Sequence, residues 1–402
     1  VRIGVDASCW ANGRGYGRFT RELLQTMVGQ SSGDEWILFA DALACERINL
    51  DDPNVRIVRV AQGESPTRAA AADGFRSPAD ILRFTHAVWK ERPDVFFHPS
   101  VYTFFPLPPG MPAVVAIHDA IPERFPELTL PSRRARLFWR GKVKLALAQA
   151  RLILTVSHYS AGELHDMLGV SRSRIRVAMP APSSTYSRVD HAVAVRAAAR
   201  HGVPVGEPWF MYVGGFNPHK HVAAIVRAHA AVVQGSRHRP HLLLVGSLQD
   251  DVFHANVQDI RAAIASQGTE PLVHWTGFVD DDELRALHSG ATALVLVSAS
   301  EGFGLPAVEA AACGTPVIAT TASPLPVVLE GGGLFVPPGA ERETAQAMLQ
   351  LLDNREAARA MGERARQQAS ALQWSEGARA ALAALHEAGR REHSAAALGV
   401  AP

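Results

Sequence analysis

Two doubly wound α/β domains are predicted by three observations. The chain has 402 residues, 47% of them hydrophobic, which exceeds one ordinary core and suits two domains of about 200 residues each. Short apolar runs alternate with helical stretches along most of the chain. A stretch broken by prolines and glycines, residues 179–208, falls near the middle.

The elements follow in order. Residues 1–6 read as a strand, so no signal peptide is expected. A helix at 19–28 follows a glycine-rich segment, and apolar runs at 36–39, 94–97, 113–117 and 152–156 supply further strands. After the broken stretch, runs at 209–213, 241–245, 272–275, 293–297 and 316–320 supply a second set, with helices at 222–233 and 307–312. Short β-rich runs separated by helices imply parallel sheets covered on both faces. The expected division is 1–185, 186–375, and a C-terminal helical segment 376–402 that returns to the first domain and frays from residue 393.

Composition excludes several classes. A net charge of +1 gives no electrostatic reason for a nucleic-acid partner. Cys9, Cys45 and Cys313 lie far apart, with neither disulfide nor metal-ligand spacing, as suits a reducing cytoplasm. No run of eighteen apolar residues spans a membrane. There is no H-E-x-x-H and no P-loop, so no bound metal is expected. Lysine occurs only at Lys90, Lys142, Lys144 and Lys220 among 40 basic residues, which gives weight to a lysine inside a glycine-rich motif.

Four segments carry candidate chemistry. In Ser300-Glu301-Gly302-Phe303-Gly304-Leu305-Pro306-Ala307-Val308-Glu309, the glycines sit at a strand-to-helix turn. Backbone amides there can approach a diphosphate, and the helix N-terminus favours the negative charge. Glu301 and Glu309 can accept hydrogen bonds from sugar or ribose hydroxyls. The same spacing also fits a solvent-facing Glu309 and glycines that only turn the chain. Tyr212-Val213-Gly214-Gly215-Phe216-Asn217-Pro218-His219-Lys220 is a second strand-to-helix turn, with Lys220 near the helix start. Asn12-Gly13-Arg14-Gly15-Tyr16-Gly17-Arg18 lacks the G-x-G-x-x-G spacing, which disfavours a dehydrogenase. Ile117-His118-Asp119 ends a strand, where open α/β sheets bind ligands. A capping Asp119 and a structural His118 explain it equally well.

Together these segments resemble the retaining glycosyltransferases of family 4, with the GT-B fold: two Rossmann-like domains facing across a cleft. The resemblance covers about residues 1–375 and is densest from Val297 to Thr320, including Cys313-Gly314-Thr315-Pro316. The segments from Tyr16 to Leu23 and from His118 to Glu127 resemble a mannosyltransferase-like subgroup that builds surface polysaccharides. The resemblance implies that Glu301 holds donor-sugar hydroxyls, that amides around Gly302, Phe303, Gly304 and Leu305 bind sugar and diphosphate, and that Glu309 holds the ribose. It implies further that Lys220 pairs with the diphosphate, that Gly15 offers its amide to phosphate, that His118 contacts the sugar near the reacting carbon, and that backbone around Phe278 and Val279 faces the base. The first two domains would bind acceptor and donor respectively. Where many members carry an arginine, this chain has Gly215 and His219, and a protonated His219 is expected to replace it in part.

The implied reaction is transfer of a sugar with retention and without a metal, a donor phosphate oxygen taking the acceptor's proton. GDP-mannose is the favoured donor, ahead of UDP- and dTDP-sugars, and a glycan or lipid-linked saccharide is the acceptor class. A sugar-nucleotide epimerase and a non-catalytic sugar-nucleotide sensor are the rivals. Seven basic residues and no acidic one between Pro131 and Arg151 suggest contact with the cytoplasmic face of a membrane, or simply a solvated helix.

Overall fold

The computed structural model describes residues 1–13, 15–63, 76–247 and 256–397. Arg14 of the first glycine segment and residues 398–402 of the expected frayed tail lie outside the described residues. The chain divides into two compact units, one formed by Val1–Pro180 with the C-terminal segment from Trp374, the other by Ala181–Gln373.

The first unit holds a seven-stranded parallel sheet: β1 (Arg2–Asp6), β2 (Glu35–Ala40), β3 (Val55–Arg59), β4 (Val95–His98), β5 (Ala113–Ala116), β6 (Ala150–Thr155) and β7 (Ile175–Val177). Their spatial order is β3-β2-β1-β4-β5-β6-β7. The central strands are buried on both faces, as parallel sheets covered by helices require. Sequence order reverses between β1 and β4, which opens a crevice at their carboxyl ends.

Helix Trp374–Ala397 completes this unit, and residues 393–397, expected to fray, continue it. Ala378, Ala381, Leu385 and Ala388 are buried at helical spacing, and small residues bring the helix close. A Cβ on Gly377 would lie 2.5 Å from the Met179 carbonyl oxygen. Arg176 grips Glu387 through Nε and Nη2, and Arg151 donates to the Ala388 carbonyl at 2.7 Å.

The second unit holds a six-stranded parallel sheet: β8 (Trp209–Val213), β9 (His241–Val245), β10 (Val273–Gly277), β11 (Ala293–Leu296), β12 (Val317–Thr320) and β13 (Gly333–Val336). Its order is β10-β9-β8-β11-β12-β13, so its crevice lies between β8 and β11. Residues 181–185 belong here rather than to the first unit, because Tyr186 donates to Asp281 at 2.9 Å and Arg285 donates to the Thr185 carbonyl. Trp374 likewise leaves this unit for the ring of Phe19.

Candidate anion and hydroxyl site at the second switch point

The segments after β8 and β11 meet at the second unit's crevice. After β8, Gly214 takes φ +151°, and a Cβ there would lie 2.9 Å from the Tyr212 hydroxyl. That hydroxyl donates to the Gly215 carbonyl and fixes the turn. Phe216 is fully buried and meets Trp275 edge-on, anchoring the segment before the short turn Pro218–Lys220. His221 then takes a left-handed φ of +51° and helix Val222–Gly235 begins without a side-chain cap.

After β11, the amide of Ala299 donates to the His219 carbonyl at 2.7 Å and joins the two segments. The amide of Glu301 donates to Ala322 at 3.0 Å. Gly304, at φ +87°, accepts from Ala307 and precedes helix Leu305–Ala312, which also lacks a side-chain cap. Two helix N-termini thus flank one crevice, an arrangement that favours an anion.

Between them, Lys220 Nζ donates to Glu301 Oε1 at 2.7 Å, and Ser298 Oγ donates to the same oxygen at 2.6 Å. Both bonds fall on Oε1, which leaves Oε2 to accept from a ligand hydroxyl. Only one of the lysine's three protons is used, so its ammonium can also face a phosphate. The two chains expected to grip different parts of a ligand therefore grip each other first. Ser298 was not among the sequence candidates; it lies just ahead of the glycine segment, and nothing local marks it.

Glu309 is 3% exposed, which removes the solvent-facing alternative. Gly302 and Phe303 are buried too, Phe303 at 4%. Gly215 and Leu305 are half-buried on the two segments. Beyond β10, Phe278 is 74% exposed and Val279 half-buried.

The surroundings of His219 work against the expected protonation. Burial, then the neighbouring charges of Lys220 and His221, holds its pKa well below the ordinary value. Its Nδ1 is buried without a hydrogen-bond partner. These surroundings favour the neutral ring.

The two remaining candidates belong to the first unit. Gly15 is the exposed first residue of helix Gly15–Gln30. The sterically demanded glycine there is Gly17, whose Cβ would fall 2.1 Å from the Asn12 carbonyl oxygen. His118 follows β5, its ring 4.6 Å from that of Phe19, and burial lowers its pKa to about 4. Its Nε2 lies 2.9 Å from the Pro99 carbonyl oxygen. A carbonyl only accepts, so Nε2 carries the proton and Nδ1 offers a lone pair. Asp119 accepts from the Ile121 amide at 3.1 Å, at the start of the next turn.

Two Rossmann-like parallel sheets in one chain are the architecture of GT-B sugar transferases. Residues 13–180 match the family described as Glycosyltransferase Family 4, and residues 196–368 match Glycosyl transferases group 1. The chain belongs to the family 4 glycosyltransferases and is a glycosyltransferase of GT-B fold. It is 27% identical over 364 residues to the O-antigen chain mannosyltransferase B of Escherichia coli, covering 87% of this chain and 90% of that one. It is 30% identical over 260 residues to the D-inositol 3-phosphate glycosyltransferase of Acidothermus cellulolyticus, covering 63% of this chain and 54% of that one. Among solved structures, the sucrose-phosphate synthase of Thermosynechococcus elongatus superposes with a TM-score of 0.74 at 20% identity, over 98% and 99% of the two chains. Anabaena HepE, in complex with UDP and glucose, gives 0.71 at 17% over 96% and 99%.

Proposed function

We propose that this glycosyltransferase moves mannose from GDP-mannose to a hydroxyl of a glycan or lipid-linked saccharide, with retention and without a metal. The observation that carries the reading is the Lys220–Glu301 pair at 2.7 Å, set between two uncapped helix N-termini. Lys220 and the amides at Gly302–Leu305 neutralise the departing diphosphate, Glu301 holds sugar hydroxyls, and Glu309 the ribose. Phe278 and Val279 line the base. His118 is a neutral acceptor of a sugar hydroxyl, and Gly15 gives its amide to phosphate. The bond from the anomeric carbon to the diphosphate oxygen breaks as the acceptor oxygen bonds to the same face. The acceptor's proton passes to a donor phosphate oxygen, so no side chain acts as base. The mannose choice follows the Escherichia coli relative's name; the glucose and UDP of the HepE complex keep a UDP-sugar as the second donor.

The test is a panel of GDP-, UDP- and dTDP-sugars, with and without EDTA, scored by thermal shift and nucleotide release. A shift with GDP-mannose and EDTA-insensitive GDP release is expected. Preferential release of UDP replaces the donor, loss of turnover in EDTA removes the metal-free mechanism, and binding without turnover makes the protein a sensor. The anomeric coupling of the product, read by NMR, tests retention.

Helix Arg133–Gln149 supports a peripheral position on a cytoplasmic membrane face. Leu137 is 72% exposed, Phe138 46% and Leu145 42%, beside exposed Arg133, Arg134, Arg140 and Lys144. Three of the seven basic residues counted from sequence turn inward: Arg136 donates to Leu130, Lys142 to Tyr102 and Arg151 to Ala388. Among the described residues no helix is long and apolar enough to cross a membrane.

A further inference from the structure

A buried ion pair lies beneath the segment that follows β1, and stability alone does not account for it. Asp6 ends β1 and is fully buried, and Arg76 stands just before Ser77, the N-cap of helix Pro78–Glu91. Arg76 Nη2 lies 3.4 Å from both carboxylate oxygens of Asp6, the two side chains being 3% and 0% exposed. The guanidinium is held over the ring of Phe84, 4.2 Å from its centroid, and lies 5.3 Å from that of Phe105. Burial by itself would raise the Asp6 carboxyl, but the Arg76 charge and the contacts with His98 and Ser8 outweigh it and hold the group at about 2. The pair is therefore ionic near neutrality. A buried pair of this kind is often no more stabilising than apolar side chains of the same volume, because both charges lose their water.

What the ion pair supplies, and an apolar pair lacks, is direction. Asp6 Oδ1 accepts from the Ser8 amide at 3.1 Å and from the Ser8 hydroxyl, and that hydroxyl accepts in turn from Arg76. The chain is thus held at its first turn after β1. The backbone then closes two further turns, Trp10 donating to the Ala7 carbonyl and Asn12 to the Cys9 carbonyl, each at 3.0 Å. Arg21, from helix Gly15–Gln30, donates to the Trp10 and Asn12 carbonyls at 2.7 and 2.8 Å. One arginine therefore holds each end of the segment, and Gly13 and Gly15 come at its exit.

We propose that the Asp6–Arg76 pair positions the first glycine segment for catalysis: it fixes Ser8 and, through the two turns that follow, the Gly15 amide that meets the departing diphosphate. This rests on the transfer reading above. Asp6 and Arg76 are positioning residues, buried away from any substrate, and they act through the backbone. The grip on the donor comes from Lys220, Glu301 and Glu309 in the second unit, so loosening the first segment should spare donor affinity. The rate should suffer, because an amide offered to developing charge counts only where it stands within hydrogen-bond reach of that charge. A purely structural role would instead lower stability and leave the folded protein with normal turnover.

The test uses the full chain, GDP-mannose as probe, and a double variant, Asp6→Asn with Arg76→Met, which removes both charges at similar volume. GDP release without acceptor gives kcat and KM, titration with GDP gives affinity, and amide hydrogen exchange reads residues 7–15. The double variant should lose about tenfold or more in kcat, keep KM and GDP affinity within about twofold, and exchange faster at residues 7–15. Gly15→Pro removes the amide at a helix start, where proline is tolerated, and its loss in kcat should not add to that of the double variant. Ser8→Ala keeps the ion pair and removes the hydroxyl that joins it to the segment; it should lower kcat severalfold at unchanged KM, and it carries the test if the double variant does not fold. Wild-type kcat in the double variant, or in Ser8→Ala where that variant stands in for it, overturns the proposal, as do losses additive with Gly15→Pro or unchanged exchange at residues 7–15. If wild type releases no nucleotide from any sugar donor, the transfer reading fails, and the exchange measurement alone decides whether the pair holds the segment.

Discussion

Replacing Glu301 by glutamine keeps the side chain's size and removes its charge. The amide then meets Lys220, formerly 2.7 Å from Oε1, and Ser298, formerly 2.6 Å away. Breaking a fully buried pair costs about 3–5 kcal/mol, because the surviving charge is stranded. Here the Lys220 side chain is 20% exposed and that of Glu301 10%, so water relieves part of the loss. We expect about 1–3 kcal/mol of destabilisation, above the ~0–1 kcal/mol typical of exposed pairs. Turnover should fall further, about 10²–10³-fold, since the variant loses both hydroxyl recognition and the placement of the lysine that meets the leaving group. The assay is a cycle of Glu301→Gln, Lys220→Met and the double variant, with urea unfolding for stability and GDP release from GDP-mannose for turnover. Their non-additivity in stability should exceed about 1 kcal/mol. Additive stabilities together with wild-type turnover in Glu301→Gln would refute the reasoning.

Other outcomes follow from named positions. Gly304→Ala combines φ +87° with a Cβ 2.8 Å from Leu325 Cδ1, so it should lower stability by about 1–3 kcal/mol in thermal or urea unfolding. His219→Ala should leave the pH dependence of donor affinity unchanged around neutrality, because burial and the neighbouring Lys220 disfavour the charged ring; a lost acid-side gain in affinity, seen by calorimetry, contradicts this. His229 is buried, its Nε2 2.7 Å from the Pro240 carbonyl oxygen, with its pKa lowered to about 4. Above the ordinary value near 6.5 both states are neutral; below it only the unfolded chain gains the proton. Stability should therefore fall as pH drops from about 6.5 to about 4, by up to ~1.4 kcal/mol per pH unit, and His229→Gln should flatten that slope in urea titrations. Replacing exposed Leu137 and Phe138 by serine should reduce co-sedimentation with anionic vesicles at low salt without changing turnover in solution.

The central strands were legible because each is a short run of apolar residues buried on both faces, as at Trp209–Val213 and His241–Val245. Strands β3, β7 and β13 were not read, and all three are sheet edges. Val55–Arg59 alternates arginine with valine and isoleucine and stays largely exposed, and Ile175–Val177 has only three half-buried residues. An edge strand needs less apolar surface, so its sequence carries less of the signal.

By itself the sequence determined the local geometry of the site. Glycines after apolar runs mark turns where backbone comes close to a ligand, and Gly304 takes a left-handed conformation there that other residues rarely adopt. Only the tertiary structure decided the electrical state of the groups on those turns. Lys220 and Glu301 are far apart in sequence and meet because β8 and β11 are neighbours. Packing removes water from His219 and disfavours its charged form, and Lys142 leaves the basic helix face because its ammonium finds the Tyr102 carbonyl. Charge and exposure depend on what surrounds a side chain, and those surroundings come from elements distant in sequence.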